Sequence, residues 1–137
     1  MNNVNFNSEE FKKTQTYQDF IKENQGEGRL LIKASSAQEA IPIENLRIKV
    51  SVIIGNTRII FFDGVTDSSG MIPKIKLPAP KTDPDNLVVP AFTTYNIVST
   101  YNNMDTLYKV NMYDNICVIQ NINIVPEIIE RGFMYGR

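Results

Sequence analysis

Between Leu46 and Ile54 the chain alternates: Leu46, Ile48, Val50, Val52 and Ile54 are separated by Arg47, Lys49, Ser51 and Ile53. A period of two sends successive side chains to opposite faces of an extended backbone, so this stretch predicts a strand with one apolar and one mixed face. Upstream, Leu30, Ile32 and Ala34 repeat the period in a strand led by Gly28, and Arg58 to Val65 returns as a third strand after the turn signal Gly55-Asn56. Thr66-Asp67-Ser68-Ser69-Gly70 then reads as a tight turn, because Asp67 can bond its own downstream backbone and Gly70 can take positive φ without a Cβ clash.

Met71 to Leu77 is the next expected strand, with Pro73 placing it at a sheet edge or a bulge. The run Leu77-Pro78-Ala79-Pro80, followed by Pro84 and Pro90, predicts a stiff extended crossing that cannot complete a ladder. A connection of that length crosses between sheets or carries function. Tyr95 to Tyr101 resumes the strand pattern, Asn102 to Asp105 turns, and Leu107 to Met112 pairs back. Asp114-Asn115 turns again, and Ile116, Val118, Ile122 and Ile124 line one face of a last strand closed by Pro126. About seven short strands with regular turn signals define an all-β chain folded as a β-sandwich.

The two ends differ from this pattern. In residues 1–27, Ser8 can cap a turn carrying Phe11, and Thr16 is the expected N-cap of a short helix with Asp19 three residues on. Tyr17, Phe20 and Ile21 then share one helix face, and Asn24-Gln25-Gly26 reads as a left-handed stop. That aromatic face either packs on the domain edge or docks an arm on a partner. The expected division is an N-terminal arm over 1–27, a sandwich over 28–126 and a tail over 127–137, where Ile128 and Ile129 can add a helical turn that Gly132 and Gly136 weaken.

Composition removes several classes. A net charge of −1 gives no field to attract a polyanion, so nucleic-acid binding is not expected. No apolar run approaches a membrane span, and the polar start Met1-Asn2-Asn3-Val4-Asn5 does not read as a signal peptide; a cytoplasmic or spore-associated chain without membrane insertion is the expectation. The single Cys117 lies in an apolar strand-like run and reads as a small buried hydrophobe. With no His, the usual general base near neutral pH and the commonest zinc ligand are both missing.

The order Gly28-Arg29-Leu30-Leu31-Ile32, Ile41-Pro42-Ile43-Glu44-Asn45-Leu46-Arg47-Ile48, Thr66-Asp67-Ser68-Ser69-Gly70 and Asn121-Ile122-Asn123-Ile124-Val125-Pro126 resembles the carboxypeptidase regulatory-like domains. The resemblance covers about residues 28–126, with Leu46 standing where a small residue is usual. It implies a seven-stranded prealbumin-like (transthyretin-like) Greek-key sandwich, here with a short N-terminal helix. Phe20-Ile21-Lys22-Glu23-Asn24 before the Gly-led strand, and Leu77 to Pro80 after the turn, are similar to the prealbumin-like domain of spore cortex-lytic enzymes of Firmicutes. That narrower resemblance implies a non-catalytic module of spore-envelope or cell-wall proteins.

Catalytic alternatives lack the residues they need. Hydroxyisourate hydrolases share the transthyretin-like fold, but their site resembles a His set plus a C-terminal Tyr-Arg-Gly-Ser, and Met134-Tyr135-Gly136-Arg137 is not that motif. Intradiol dioxygenases need Tyr and His for iron. Ser35-Ser36 and Ser68-Ser69 have no His to activate them. Asp63, Asp83 and Asp85 could hold a hard cation, but Asp83-Pro84-Asp85-Asn86 lacks calcium-loop spacing and reads as a solvated loop. An isopeptide from Lys33 to Asn121 or Asn123 lacks a Glu in the central strands. Tyr95, Tyr101, Tyr108 and Tyr113 could stack a sugar ring, or serve as core and cross-strand partners.

The resulting expectation is a non-enzymatic interaction or assembly module without a cofactor, in a spore or cell-wall setting. A protein partner would meet Tyr17, Phe20, Leu77, Pro78, Pro80, Pro84, Tyr95 or Tyr101. The alternatives are a domain binding carbohydrate or peptidoglycan, with cell-wall polysaccharide as partner, and a structural component of a phage-like or secretion assembly.

Overall fold

The computed structural model of the chain describes residues 2–36, 40–85 and 90–125. Two sheets face each other. The first has the order β1 (Asn2–Asn5), β5 (Thr57–Val65), β4 (Arg47–Ile54), β7 (Thr93–Tyr101), β8 (Met104–Met112). In the second, β2 (Gly26–Ser36) pairs antiparallel with β6 (Ile75–Ala79) and the short β3 (Ile41–Pro42), and parallel with β9 (Cys117–Ile124). Helices α1 (Glu9–Lys12) and α2 (Gln15–Glu23) join β1 to β2. The described strands number nine rather than the expected seven. Each of the seven expected strands has a counterpart, one of them displaced along the chain, and β1 and β3 are additional.

The alternating residues form the core. Leu30, Ile32, Ile48, Val50, Ile59, Leu77, Tyr95, Ile97 and Ile122 are all fully buried between the sheets, and each aliphatic side chain so buried contributes about 1.5–3 kcal/mol. Opposite faces stay outside: Arg47 and Ile53 on β4, and Lys33 on β2, are exposed. One irregularity breaks the ladder. Val50 pairs with Phe62 and Ser51 with Ile60, which leaves Phe61 as the extra residue of a β-bulge. The Phe61 ring stacks on Phe6 at 4.2 Å and meets Tyr95 edge-on at 5.4 Å.

The turns follow their residues. Asn102 and Asn103, at φ 51° and 64°, form the two-residue link between β7 and β8. In the Thr66–Gly70 turn, Asp67 Oδ1 accepts from the Ser69 and Met71 amides at 2.8 and 3.0 Å, and Gly70 takes φ 76°. Thr66 Oγ1 donates to the Ile43 carbonyl at 2.6 Å and accepts from the Leu46 amide at 3.0 Å. The turn thus fastens the approach to β4. It is architecture, as its residues imply.

Four local expectations are corrected. The strand expected over Met71–Leu77 is instead Ile75–Ala79. Met71 makes only an isolated bridge to Lys33, and Leu77-Pro78-Ala79 belongs to the ladder with β2. Pro78 is tolerated because β6 pairs on one side only. Helix α2 is capped by Thr14, whose side chain accepts from the Tyr17 amide at 3.1 Å, not by Thr16. Its stop is not left-handed: Asn24 has φ −130° and donates its Nδ2 to the Phe20 carbonyl at 2.8 Å, while accepting from Thr93 Oγ1. Cys117 is exposed, not buried, because it lies on the outward face of β9, which no further layer covers among the described residues. Pro126, the tail 127–137 and residues 86–89 of the proline-rich crossing lie outside the described residues.

Candidate functional site

The residues singled out from sequence do not converge. Phe20 is buried and Tyr17 half-buried, in an aromatic cluster with Phe6, Phe11 and Phe61. Leu77 and Tyr95 are fully buried, and the Tyr95 hydroxyl donates to the Pro78 carbonyl at 2.5 Å. Burial pushes the Tyr95 phenol well above its ordinary range. Pro80 is half-buried and Pro84 lies in an exposed turn. Tyr101 is half-buried and, with Tyr108, Met104 and Thr106, lines a cleft of about 210 Å3 beside the end of β9. Lys33 and Asn121 are register partners on β2 and β9, yet both are exposed. No group of three or more His, Cys, Asp or Glu side chains that could hold a metal occurs among the described residues.

What the fold does bring together is the mixed face of the five-stranded sheet. Arg47 and Lys49 leave β4 on the side opposite the buried Ile48 and Val50. Arg58 on β5 lies over the same face and donates its Nη1 to Ser51 Oγ at 2.7 Å, which covers a serine with no solvent exposure. Asn3 pairs with Arg58 from β1, while Thr100 and Asp105 close the far side from β7 and β8. Asn3, Arg47, Lys49, Arg58, Val98, Thr100 and Asp105 line one cleft of about 410 Å3.

Its charges are unevenly satisfied. Arg47 grips Asp63 with Nε and Nη2, at 3.2 and 3.0 Å. Hydrogen bonding and then the charge of Asp63 raise the guanidinium above its usual value, and Asp105 adds a smaller pull. Lys49 stands across the ladder from Asp63, which Arg47 already holds, and neither Lys49 nor Arg58 makes an ion pair among the described residues. Asp105 Oδ1 accepts from Thr100 Oγ1 at 2.6 Å, and no cation pairs with it among those residues. The cleft can hold an anion and stabilise negative charge developing on it. Alternation identifies Arg47 and Lys49 as outward-facing, but only the pairing of β4 with β5 sets Arg58 beside them.

No family model matches the chain, and no curated protein matches it. Among solved structures it is similar to the 5-hydroxyisourate hydrolase of Klebsiella pneumoniae, at 12% identity and a TM-score of 0.45, over 70% of this chain and 90% of that one. It is also similar to an (S)-allantoin synthase, at 12% identity and a TM-score of 0.45, over 72% of this chain; it spans only 41% of the synthase chain. At this distance neither transfers a site or a reaction, and the strand pairing itself carries the statement that the chain is a two-sheet sandwich. One expectation is nevertheless overturned. The resemblance drawn from sequence led to a non-catalytic interaction module, yet both of these similar structures are of proteins named as enzymes. That expectation and its alternatives are withdrawn, and nothing in the comparisons points to spores or cell walls.

Proposed function

We propose that the chain binds a small anionic molecule, carrying a phosphate or carboxylate group, in the cleft over Arg47, Lys49 and Arg58. The observation that carries this reading is the placing in one concave site of two cations, Lys49 and Arg58, that make no ion pair among the described residues. On a chain of net charge −1, such a cluster is a local exception to the overall field. Arg58 is also held in place by Ser51, which lowers the entropy lost when it meets a ligand. The same cations would stabilise charge building up on a bound substrate, which is the part of catalysis this site can supply.

Titration of 15N-labelled protein with propylphosphonate at low salt tests the reading. Saturable shifts are expected at residues 47–51, 58 and 98–105. Lys49→Ala and Arg58→Gln should each weaken binding by about fivefold or more, and added salt should weaken it further. Absence of saturable shifts at those positions up to about 50 mM ligand, well beyond a millimolar Kd, refutes it.

A further inference from the structure

The cleft is not uniformly positive. Lys49 and Arg58 mark its β4–β5 side, while Asp105 on β8 marks the other. For a site that took a simple anion, a carboxylate in the lining would repel the ligand and lower its affinity. Arg47 lies between the two sides, but two of its donors are committed to Asp63, so it does not neutralise Asp105 through an ion pair. Thr100 holds Asp105 through Oδ1 alone, and Oδ2 has no hydrogen-bond partner among the described residues. The carboxylate is therefore positioned and half satisfied, with an oxygen left to accept.

Resting on the reading that this cleft binds an anion, we infer that its ligand is a small zwitterion, whose anionic group meets Lys49 and Arg58 and whose ammonium group meets Asp105. Lys49 and Asp105 are two strands and two ladder steps apart, since Lys49 pairs with Val98, Val98 with Leu107, and Asp105 is two residues from Leu107. Strand geometry puts their Cα atoms about 12 Å apart. The reach of the lysine side chain shortens that to a gap spanned by a molecule a few bonds long. Asp105 then works by discrimination: it repels plain anions and rewards those that bring their own cation.

Two probes that differ by a terminal ammonium group test this, propylphosphonate and 3-aminopropylphosphonate, each titrated into 15N-labelled wild type and Asp105→Asn. Asp105 is exposed on an outer strand, so the variant keeps its fold. In the wild type the amino compound should bind about fivefold more tightly, the scale of a charge-assisted contact at a solvated site. In Asp105→Asn the two should bind within about twofold of each other, with propylphosphonate gaining from the lost repulsion. Equal binding of the two probes by wild type overturns the zwitterion inference and leaves the anion site standing. A preference that persists in Asp105→Asn overturns the role of Asp105. Failure of both probes to bind wild type removes the anion site and this inference with it.

Discussion

Replacing Tyr95 by Phe removes one atom from the middle of the sandwich, and its cost can be worked out from the surroundings. The ring is fully buried and meets Phe61 edge-on at 5.4 Å, contacts that Phe keeps. The hydroxyl donates to the Pro78 carbonyl at 2.5 Å, and that bond ties β7 across the core to β6. Losing a net hydrogen bond and leaving the partly buried carbonyl short of a donor costs about 1–2 kcal/mol. For a chain of this size that lowers Tm by about 3–8 °C and the urea midpoint by about 0.5–1 M, with the m-value unchanged. Tyr95→Ala, which also removes the ring, should cost about 3–5 kcal/mol.

The same hydroxyl gives a second readout. Folded Tyr95 holds its proton to higher pH than the ordinary value of 10.0 that applies to the unfolded chain, because burial disfavours the phenolate. Above that pH the unfolded chain binds fewer protons than the folded one, so stability falls as pH rises, by about 1.4 kcal/mol at pH 11. Tyr95→Phe should lack this component. The gap between wild type and Tyr95→Phe, measured by urea unfolding, should therefore shrink between about pH 9 and pH 11. A gap that is absent at pH 7, or constant across the alkaline range, would show that the phenol is not bonded in the interior and would refute the reasoning.

Two further outcomes rest on other parts of the fold. Asp114 accepts from the Thr82 and Glu27 amides, each at 3.0 Å, and these bonds hold its carboxyl below the usual range. A depressed folded pKa gives stability that is present above about pH 4 and lost below it, so the advantage of wild type over Asp114→Asn in urea should fade between about pH 5 and pH 2; a gap unchanged over that interval counts against the two bonds. Gly70→Ala should cost about 2–4 kcal/mol in urea unfolding, since at φ 76° a Cβ would stand 2.2 Å from the Ala34 carbonyl oxygen. Gly55→Ala, at φ 60° with nothing within 4 Å, should cost only about 1 kcal/mol, and equal losses at the two sites would refute the steric account.

The strands that carry a clear period of two were legible because one face of each is buried. Leu46 to Ile54 and Leu30 to Ala34 show it directly. β1 was not legible: Asn2-Asn3-Val4-Asn5 offers one apolar residue, and its place beside β5 comes from backbone pairing that no side-chain pattern announces. The place of β6 is hidden in the sequence because Pro78 looks incompatible with a ladder until the free edge of the strand is known. The exposure of Cys117 is not legible either, because apolar neighbours suggest burial, whereas Ile119 on the same outward face is itself 62% exposed. The site was half legible. Arg47 and Lys49 follow from alternation, but Arg58, Thr100 and Asp105 join them only through the pairing of four strands.

The parallel pairing of β2 with β9 governs the order in which this chain can be assembled. Arg29 meets Cys117 and Ser36 meets Ile124, so β2 waits for roughly 90 further residues before this parallel neighbour exists, a separation of the kind that slows folding. On a ribosome, the β4–β5 hairpin can form early from local contacts. One side of β2 stays open until the last described strand emerges. Over that interval the amides and carbonyls along that edge of β2 have no ladder partner, and an open edge is a template for wrong pairing. Misassembly of the nascent chain should therefore start from β2.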